Sequence, residues 1–261
     1  MSRSVAEGAR HDARRAAQRA GVKVTELSGP EVAVAQAVIR DLWGQQQVPQ
    51  HNLLRALAHA GNTLVGAFAD ERCVGVALGF LGWHGGIHLH SHMTAVVPGR
   101  QSVGVGFALK LWQRALCLDR GVREIRWTYD PLISRNAYFN LVKLGAEVIA
   151  FEPDFYGDMD DAVNAGDHSD RFEVSWRLDS EGVQLAASGA RAPQRPEGQL
   201  VEIPLDYDAL RRADPAAARD VRLRTRGIFT RWMSEGMTPR WAQGGGYLFR
   251  ATDRDLAAPR P

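Results

Sequence analysis

Three histidines, His88, His90 and His92, recur at period two. In an extended chain that spacing puts all three on one sheet face. Imidazole titrates near neutral pH, so such a row can move protons, or it can simply hydrogen-bond on a partly wet face. A zinc ion is the other use of three imidazoles. Neighbours along one strand face stand about 7 Å apart, a poor fit to three-ligand convergence, so no metal is expected. Shortly after the histidines comes Gln101-Ser102-Val103-Gly104-Val105-Gly106. Small residues there let the backbone approach a ligand closely. A helix starting behind such a loop offers free N–H groups and the positive end of its dipole, which suits a pyrophosphate. A bare Gly-x-Gly is an ordinary turn; its specificity here comes from its place between a strand and an amphipathic helix.

Other residues carry weaker signals. Tyr138 and Tyr156 can give a proton or orient a substrate, or can pack as amphipathic rings. Asp158, Asp160, Asp161, Asp167 and Asp170 lack the calcium-loop pattern and read as a solvated loop, with the alternative of holding a substrate ammonium. Arg219, Arg222 and Arg226 share one helix face, while Val221, Ile228 and Trp232 share another that should pack. The arginine face reads as solvated. Were it to approach a cleft, its guanidinium groups suit bidentate recognition of a carboxylate. Cys73 and Cys117 make no metal or redox spacing, and neither adjoins a candidate base.

These residues must be held by an alternating pattern of strands and helices. Residues 22–27 read as a strand, 31–43 as a helix opened by Pro30, and 52–60 as a short helix ended by Gly61. Residues 63–69 and 73–81 read as a hairpin turned at Asp70-Glu71, and Gly85-Gly86 leads into a third strand, 87–97. A helix over 104–119 follows the small-residue loop. Then come a strand at 124–129, a helix at 134–144 with Ser134 as its cap, and strands at 147–151 and 172–178. Residues 179–199, rich in Ser, Gly, Ala and Pro, read as a linker. Beyond it lie a strand at 201–203, a long helix at 215–235, and strands at 240–243 and 247–251. Four parts result: an N-terminal helical extension (1–21), an α/β domain (22–178), a linker (179–200) and a strand-helix-strand extension (201–261) that should pack on the domain.

Composition bounds the function classes. The chain has 261 residues, 45% hydrophobic and 24% charged, which excludes wholesale disorder and needs no disulfide staples. Its longest apolar stretch, residues 73–83, is interrupted by three glycines and falls short of the roughly 20 residues of a membrane span. The Arg/Ala-rich first twenty residues have no apolar core behind them, unlike a secretory signal. Cysteine usage suits a reducing, cytoplasmic compartment. Only three of 32 basic residues are lysine (Lys23, Lys110 and Lys143), which points to a GC-rich bacterial source. A net charge of +2 gives nucleic-acid binding little support.

The order β-β-β, small-residue loop, α-β-α-β-β resembles the GNAT superfamily of acyl-CoA-dependent acyltransferases over residues 22–178. A dinucleotide fold fails, because its loop must follow the first parallel strand, with an acidic residue about 20 positions on. The resemblance implies an α/β GNAT fold, a mixed twisted sheet with helices on both faces. It also implies acyl-CoA as co-substrate: pyrophosphate on Gln101, Val103, Gly104, Val105 and Gly106, and pantetheine along Thr94, Val96 and Val97, with Asn136 and Asn140 on its amides. His90, eleven residues before Gln101, falls where the histone-acetyltransferase branch carries its glutamate base; His92 is the alternative. The tyrosine acid of many members is replaced here by Leu141, which leaves Tyr156, then Tyr138, as candidates, or water. A narrower likeness rests on His90-Ser91-His92-Met93, Trp127-Thr128-Tyr129-Asp130-Pro131-Leu132, Lys143-Leu144-Gly145-Ala146 and Phe155-Tyr156-Gly157. It extends to Ala213-Asp214-Pro215 and Arg224-Thr225-Arg226. These runs are similar to bacterial members encoded beside N-acylamino-acid racemases, which implies acetyl or succinyl transfer to the amine of a small molecule such as an amino acid. No nucleic-acid or membrane partner is expected, and a homodimer is allowed. The competing readings are a non-catalytic acyl-CoA sensor and an interaction module.

Overall fold

A computed structural model describes residues 3–157, 167–190, 197–242 and 244–251. In chain order its elements are α1 (Arg3–Arg19), β1 (Lys23–Glu26), α2 (Val32–Trp43), α3 (His51–His59), β2 (Leu64–Ala69), β3 (Arg72–Gly82), β4 (His88–Val96), α4 (Val105–Asp119) and β5 (Glu124–Tyr129). There follow α5 (Ser134–Ala137), running on as a π-helix (Tyr138–Lys143), then β6 (Glu147–Glu152), β7 (Arg171–Arg177) and α6 (Glu181–Ser188). The last are β8 (Gln199–Val201), α7 (Tyr207–Ala213), α8 (Pro215–Ser234), β9 (Met237–Trp241) and β10 (Tyr247–Ala251). The strands form a seven-stranded sheet, β1-β2-β3-β4-β5-β7-β6, and a three-stranded sheet, β8-β10-β9.

The contacts divide into two compact units. In the first, built from residues up to Trp127 and 175–190, β1 to β4 are antiparallel neighbours and β4 runs parallel to β5. The expected turn at Asp70-Glu71 has both residues at positive φ (45° and 66°), the twist a two-residue hairpin requires. One sheet face is covered by α2 and α3, whose Val32, Ala35, Val38, Ile39 and Leu54 meet Leu64, Val76, Leu78 and Ala95. The other carries α4, so Gly75 is needed in β3: a Cβ there would stand 3.0 Å from Val105 and 3.2 Å from Leu109. Against α4 lies α1, burying Ala6, Ala9, Ala13, Ala16, Ala17 and Ala20. Small side chains bring the two axes close, and buried Arg114 of α4 fixes the register through Asp12 at 3.3 Å and the Leu178 carbonyl at 2.9 Å.

The second unit has an aromatic core. Phe172 and Phe229 lie 4.9 Å apart, Phe172 and Tyr247 5.2 Å, and Phe229 stacks on Phe249 at 5.6 Å. Three local differences from the sequence reading stand out. Residues 181–188 of the expected linker are helical, capped by Ser180, whose side chain accepts from the Val183 N–H. The extension contains a further helix, α7, capped by Asp206. The helix after β5 keeps α-geometry for only four residues before widening into the π-turn. Glycines at 244–246 are all at positive φ, and a Cβ on Gly246 would strike the Val201 carbonyl.

Candidate active site

The histidines sit on β4, opposite β3: His88 faces Gly82, His90 faces Phe80 and Ser91 faces Gly79, whereas Leu78 faces Met93. His92 is therefore the extra residue of a β-bulge. The bulge breaks the simple alternation but leaves the His90 and His92 rings 6.1 Å apart, both beside Phe80 at 5.2 and 5.7 Å. His88 does not join them as a free group. It is buried, with Nδ1 2.9 Å from the Gly86 carbonyl, and its ring lies where a Cβ on Gly82 would be. No cluster suited to a metal ion occurs among the described residues. Desolvation lowers the pKa of both remaining imidazoles. In His90 burial, then the charges of His92, His88 and Lys110, bring it down to about 4. His90 is thus neutral at pH 7 and has a lone pair to accept a proton.

On the opposite side of β4 lies a buried polar chain that sequence reasoning missed. Lys110 Nζ donates to Ser91 Oγ at 2.8 Å, Ser91 Oγ to Gln113 Oε1 at 2.9 Å, and Gln113 Nε2 to Thr63 Oγ1 at 3.1 Å. The ammonium also sits 3.8 Å from the centre of the Trp127 ring. Burial pushes the Lys110 pKa down to about 7. The available signal was a lysine and a glutamine three residues apart on a helix whose other charged residues are Arg114 and Asp119.

β4 has a second feature. Its parallel pairing with β5 includes Leu89↔Ile125 and His90↔Arg126. Further along, the Val97 N–H bonds to the Val74 carbonyl of the β3 side, so Ala95 and Val97 direct their backbone groups toward β3. Strand alternation then turns those of Thr94 and Val96 to the side away from β3. Of the three backbone candidates, Thr94 and Val96 turn away from β3, and the Val96 carbonyl accepts from Gln101 Nε2 at 3.2 Å. Val97 is committed, because its carbonyl also accepts from the Arg100 N–H at 3.1 Å.

The loop after β4 is shaped by left-handed residues: Gly99 (φ 80°), Ser102 (φ 66°) and Gly104 (φ 99°). Gly104 is the N-cap of α4 and has no side chain to bond the first helical N–H groups. Its carbonyl accepts from the Ala108 N–H at 2.9 Å, so the N–H groups of Val105, Gly106 and Phe107 precede the first helical bond. Gly106 sits against Val96, a Cβ there falling 3.8 Å from Val96 Cγ2. Gln101 Nε2 donates to the Val96 carbonyl at 3.2 Å and ties the loop back to the strand. Val103 is half exposed.

The remaining candidates belong to the second unit. The Tyr156 hydroxyl stands 3.3 Å from Thr128 Oγ1, its N–H donates to Ser169 Oγ at 3.0 Å, and Arg171 lies 5.3 Å from its ring centre. Asn136 is exposed, whereas Asn140 is buried inside the π-turn.

Two expectations are corrected here. Arg222 is not on a solvated face. The buried stripe of α8 is Ala218, Arg222, Thr225, Phe229 and Trp232, and Arg222 is held by Asp130 and Asp167, both at 2.7 Å. Arg226 pairs with Asp170 and, at 3.0 Å, with Asp154. Asp167 and Asp170 are accordingly internal counter-ions, while Asp158, Asp160 and Asp161 lie outside the described residues. With their guanidinium groups so engaged, Arg222 and Arg226 are not carboxylate clamps for a ligand.

No protein-family model matches this chain, and no curated protein matches it. Solved structures do. The ribosomal-protein-S18-alanine N-acetyltransferase from Escherichia coli aligns at 13% identity over 62% of this chain and 96% of its own, with a TM-score of 0.50. Arabidopsis thaliana Naa50 in complex with a bisubstrate CoA analogue aligns at 17% identity over 59% and 97%, TM-score 0.48. An aminoglycoside 6′-N-acetyltransferase complexed with coenzyme A aligns at 14% identity over 61% and 98%, TM-score 0.47. The chain has a GNAT-like α/β fold. Among the described residues no helix is long and apolar enough to cross a membrane.

Proposed function

We propose that this chain is an acyl-CoA-dependent N-acyltransferase that moves an acetyl or succinyl group to the amine of a small molecule, an α-amino acid in the first instance. One observation carries the reading. The open head of α4, with left-handed Gly104 as its cap, lies beyond a strand whose Thr94 backbone and Val96 N–H face away from β3. The first feature suits a pyrophosphate and the second an extended chain with amide groups, and CoA carries both in that order.

The chemistry needs no covalent acyl-enzyme. The amine nitrogen attacks the thioester carbonyl carbon, the C–N bond forms and the C–S bond breaks. The ammonium proton passes to His90, directly or through one water, and the sulfur leaves as thiolate, which takes a proton from water. A neutral imidazole has the lone pair to accept such a proton, and because the burial that keeps His90 neutral also lowers its basicity, it relays the proton on to water rather than holding it. Buried Cys117, its thiol pushed up to about 12 by burial, is no rival nucleophile.

A thiol-release screen tests the proposal, with acetyl-, succinyl- and longer acyl-CoAs against pooled amines. Amino acids should turn over at least an order of magnitude better than their decarboxylated amines. Equal rates would remove the carboxylate from the substrate class, and no thiol release with any pair would overturn the enzyme reading.

A further inference from the structure

A cavity of about 150 Å³ opens between α1 and the head of α4, all within the first unit. Asp12, Arg15, Arg19 and Ala20 of the N-terminal segment line one side, and Gly104 and Phe107 line the other. It is smaller than the roughly 300–1,000 Å³ of sites that take whole drug-sized ligands, so it suits one ionic group of a larger molecule. Its charge is specific. Asp12 is already neutralised twice, by Arg114 and Arg15, each at 3.3 Å. Arg19 has no carboxylate partner among the described residues. The last carbonyls of α1 are also taken: that of Ala16 accepts from the Ala20 N–H, that of Gln18 from Gly21 and that of Ala17 from Val22. What the end of α1 presents to the cavity is therefore cationic side chains, next to a loop whose own contribution is backbone N–H.

We propose that Arg19, supported by Arg15, holds a phosphate group of the bound acyl-CoA, so that the N-terminal helix is part of the nucleotide site. The inference rests on the acyl-CoA reading above. The chemistry is that of a guanidinium paired with a phosphate oxygen. Coenzyme A offers two sources of that group, the pyrophosphate and the phosphate monoester on its ribose. The close packing of α1 on α4, with the Ala20 Cβ within 3.5 Å of where a Cβ on Gly104 would stand, fixes the distance between the arginines and the loop.

Calorimetric titration of the full chain with CoA and with 3′-dephospho-CoA tests this, comparing wild type with Arg19→Gln, which keeps most of the stem, and Arg19→Glu. Arg19 is exposed, so both variants should fold. The expected result is a loss of CoA affinity of about tenfold for Arg19→Gln and more for Arg19→Glu. A loss seen with CoA alone assigns the ribose phosphate; an equal loss with both ligands assigns the pyrophosphate. Wild-type affinity in both variants overturns the proposal while leaving the acyl-CoA reading intact. A wild-type chain that binds neither ligand overturns that reading, and this proposal with it.

Discussion

Arg222 grips Asp130 with both arms of its guanidinium, Nη1 donating to Oδ1 at 2.8 Å and Nη2 to Oδ2 at 2.7 Å, across 92 residues of sequence. The same Nη2 donates to Asp167 Oδ2, and the group sits 4.9 Å from the centre of the Tyr207 ring. One arginine thus joins the loop after β5, the segment before β7 and α8. Removing one member of a buried pair strands the other charge, which costs about 3–5 kcal/mol. Arg222→Ala should lower the unfolding free energy by that order in urea titration followed by near-ultraviolet circular dichroism. Arg222→Lys should recover only part, because an ammonium cannot fork. A midpoint within experimental scatter of wild type for Arg222→Ala would show that the cluster does not hold the unit together.

Gly104 combines a left-handed backbone with an uncapped helix start. Gly104→Asp puts a negative charge where an anion should sit, and Gly104→Asn supplies the same bulk without the charge. Asn also tolerates positive φ. CoA affinity by calorimetry should fall at least tenfold, about 1.4 kcal/mol, in the Asp variant and clearly less in the Asn variant. Equal affinities in the two would mean that no anion is bound at this loop.

His90→Ala should lower kcat by about 10²–10⁴-fold, the usual contribution of a general base, and leave CoA affinity nearly intact. Burial and neighbouring charge bring the His90 pKa to about 4, so its acidic limb in kcat/KM should lie near pH 4, well below the ordinary 6.5 of imidazole. The deficit should shrink as pH approaches the pKa of the amine substrate, which then arrives deprotonated. His92→Ala separates the two rings. Should His90→Ala keep wild-type kcat and the same acidic limb, ordered water would be the base.

Lys110 gives a stability prediction with a defined sign. Its folded pKa is lowered from 10.5 to about 7 by burial. Between those values the unfolded chain holds a proton that the folded chain has released, so stability should rise as pH increases from 7 toward 10 and fall on the return. Lys110→Met, which leaves Ser91 donating to Gln113, should flatten that rise. Urea midpoints at pH 7 and pH 9.5 decide it: an equal rise in wild type and variant would assign the dependence to other groups.

Much of the fold was legible in the sequence because it is written in local patterns. Apolar runs joined by the Asp70-Glu71 turn marked β2 and β3, period-two residues marked β4 and β5, and small residues before an amphipathic helix marked the head of α4. These depend on near neighbours, and the structure places the elements within a few residues of the expected bounds. Three things could not be read locally. The bulge at His92 is a mismatch between two strands, visible only in their register. The Lys110-Ser91-Gln113-Thr63 chain links residues up to 50 apart, so no window along the sequence contains it. Arg222 and Arg226 sit at spacings typical of a solvated face. What made Arg222 an internal ion was the arrival of carboxylates from distant segments, Asp130 and Asp167, and what engaged Arg226 was the arrival of Asp154 and Asp170. The sequence determined where most helices and strands form, α6 and α7 excepted, and which loop follows β4 at the head of α4. Tertiary structure decided which charges face each other, because a charge is buried or solvated according to partners that only the folded chain brings within reach.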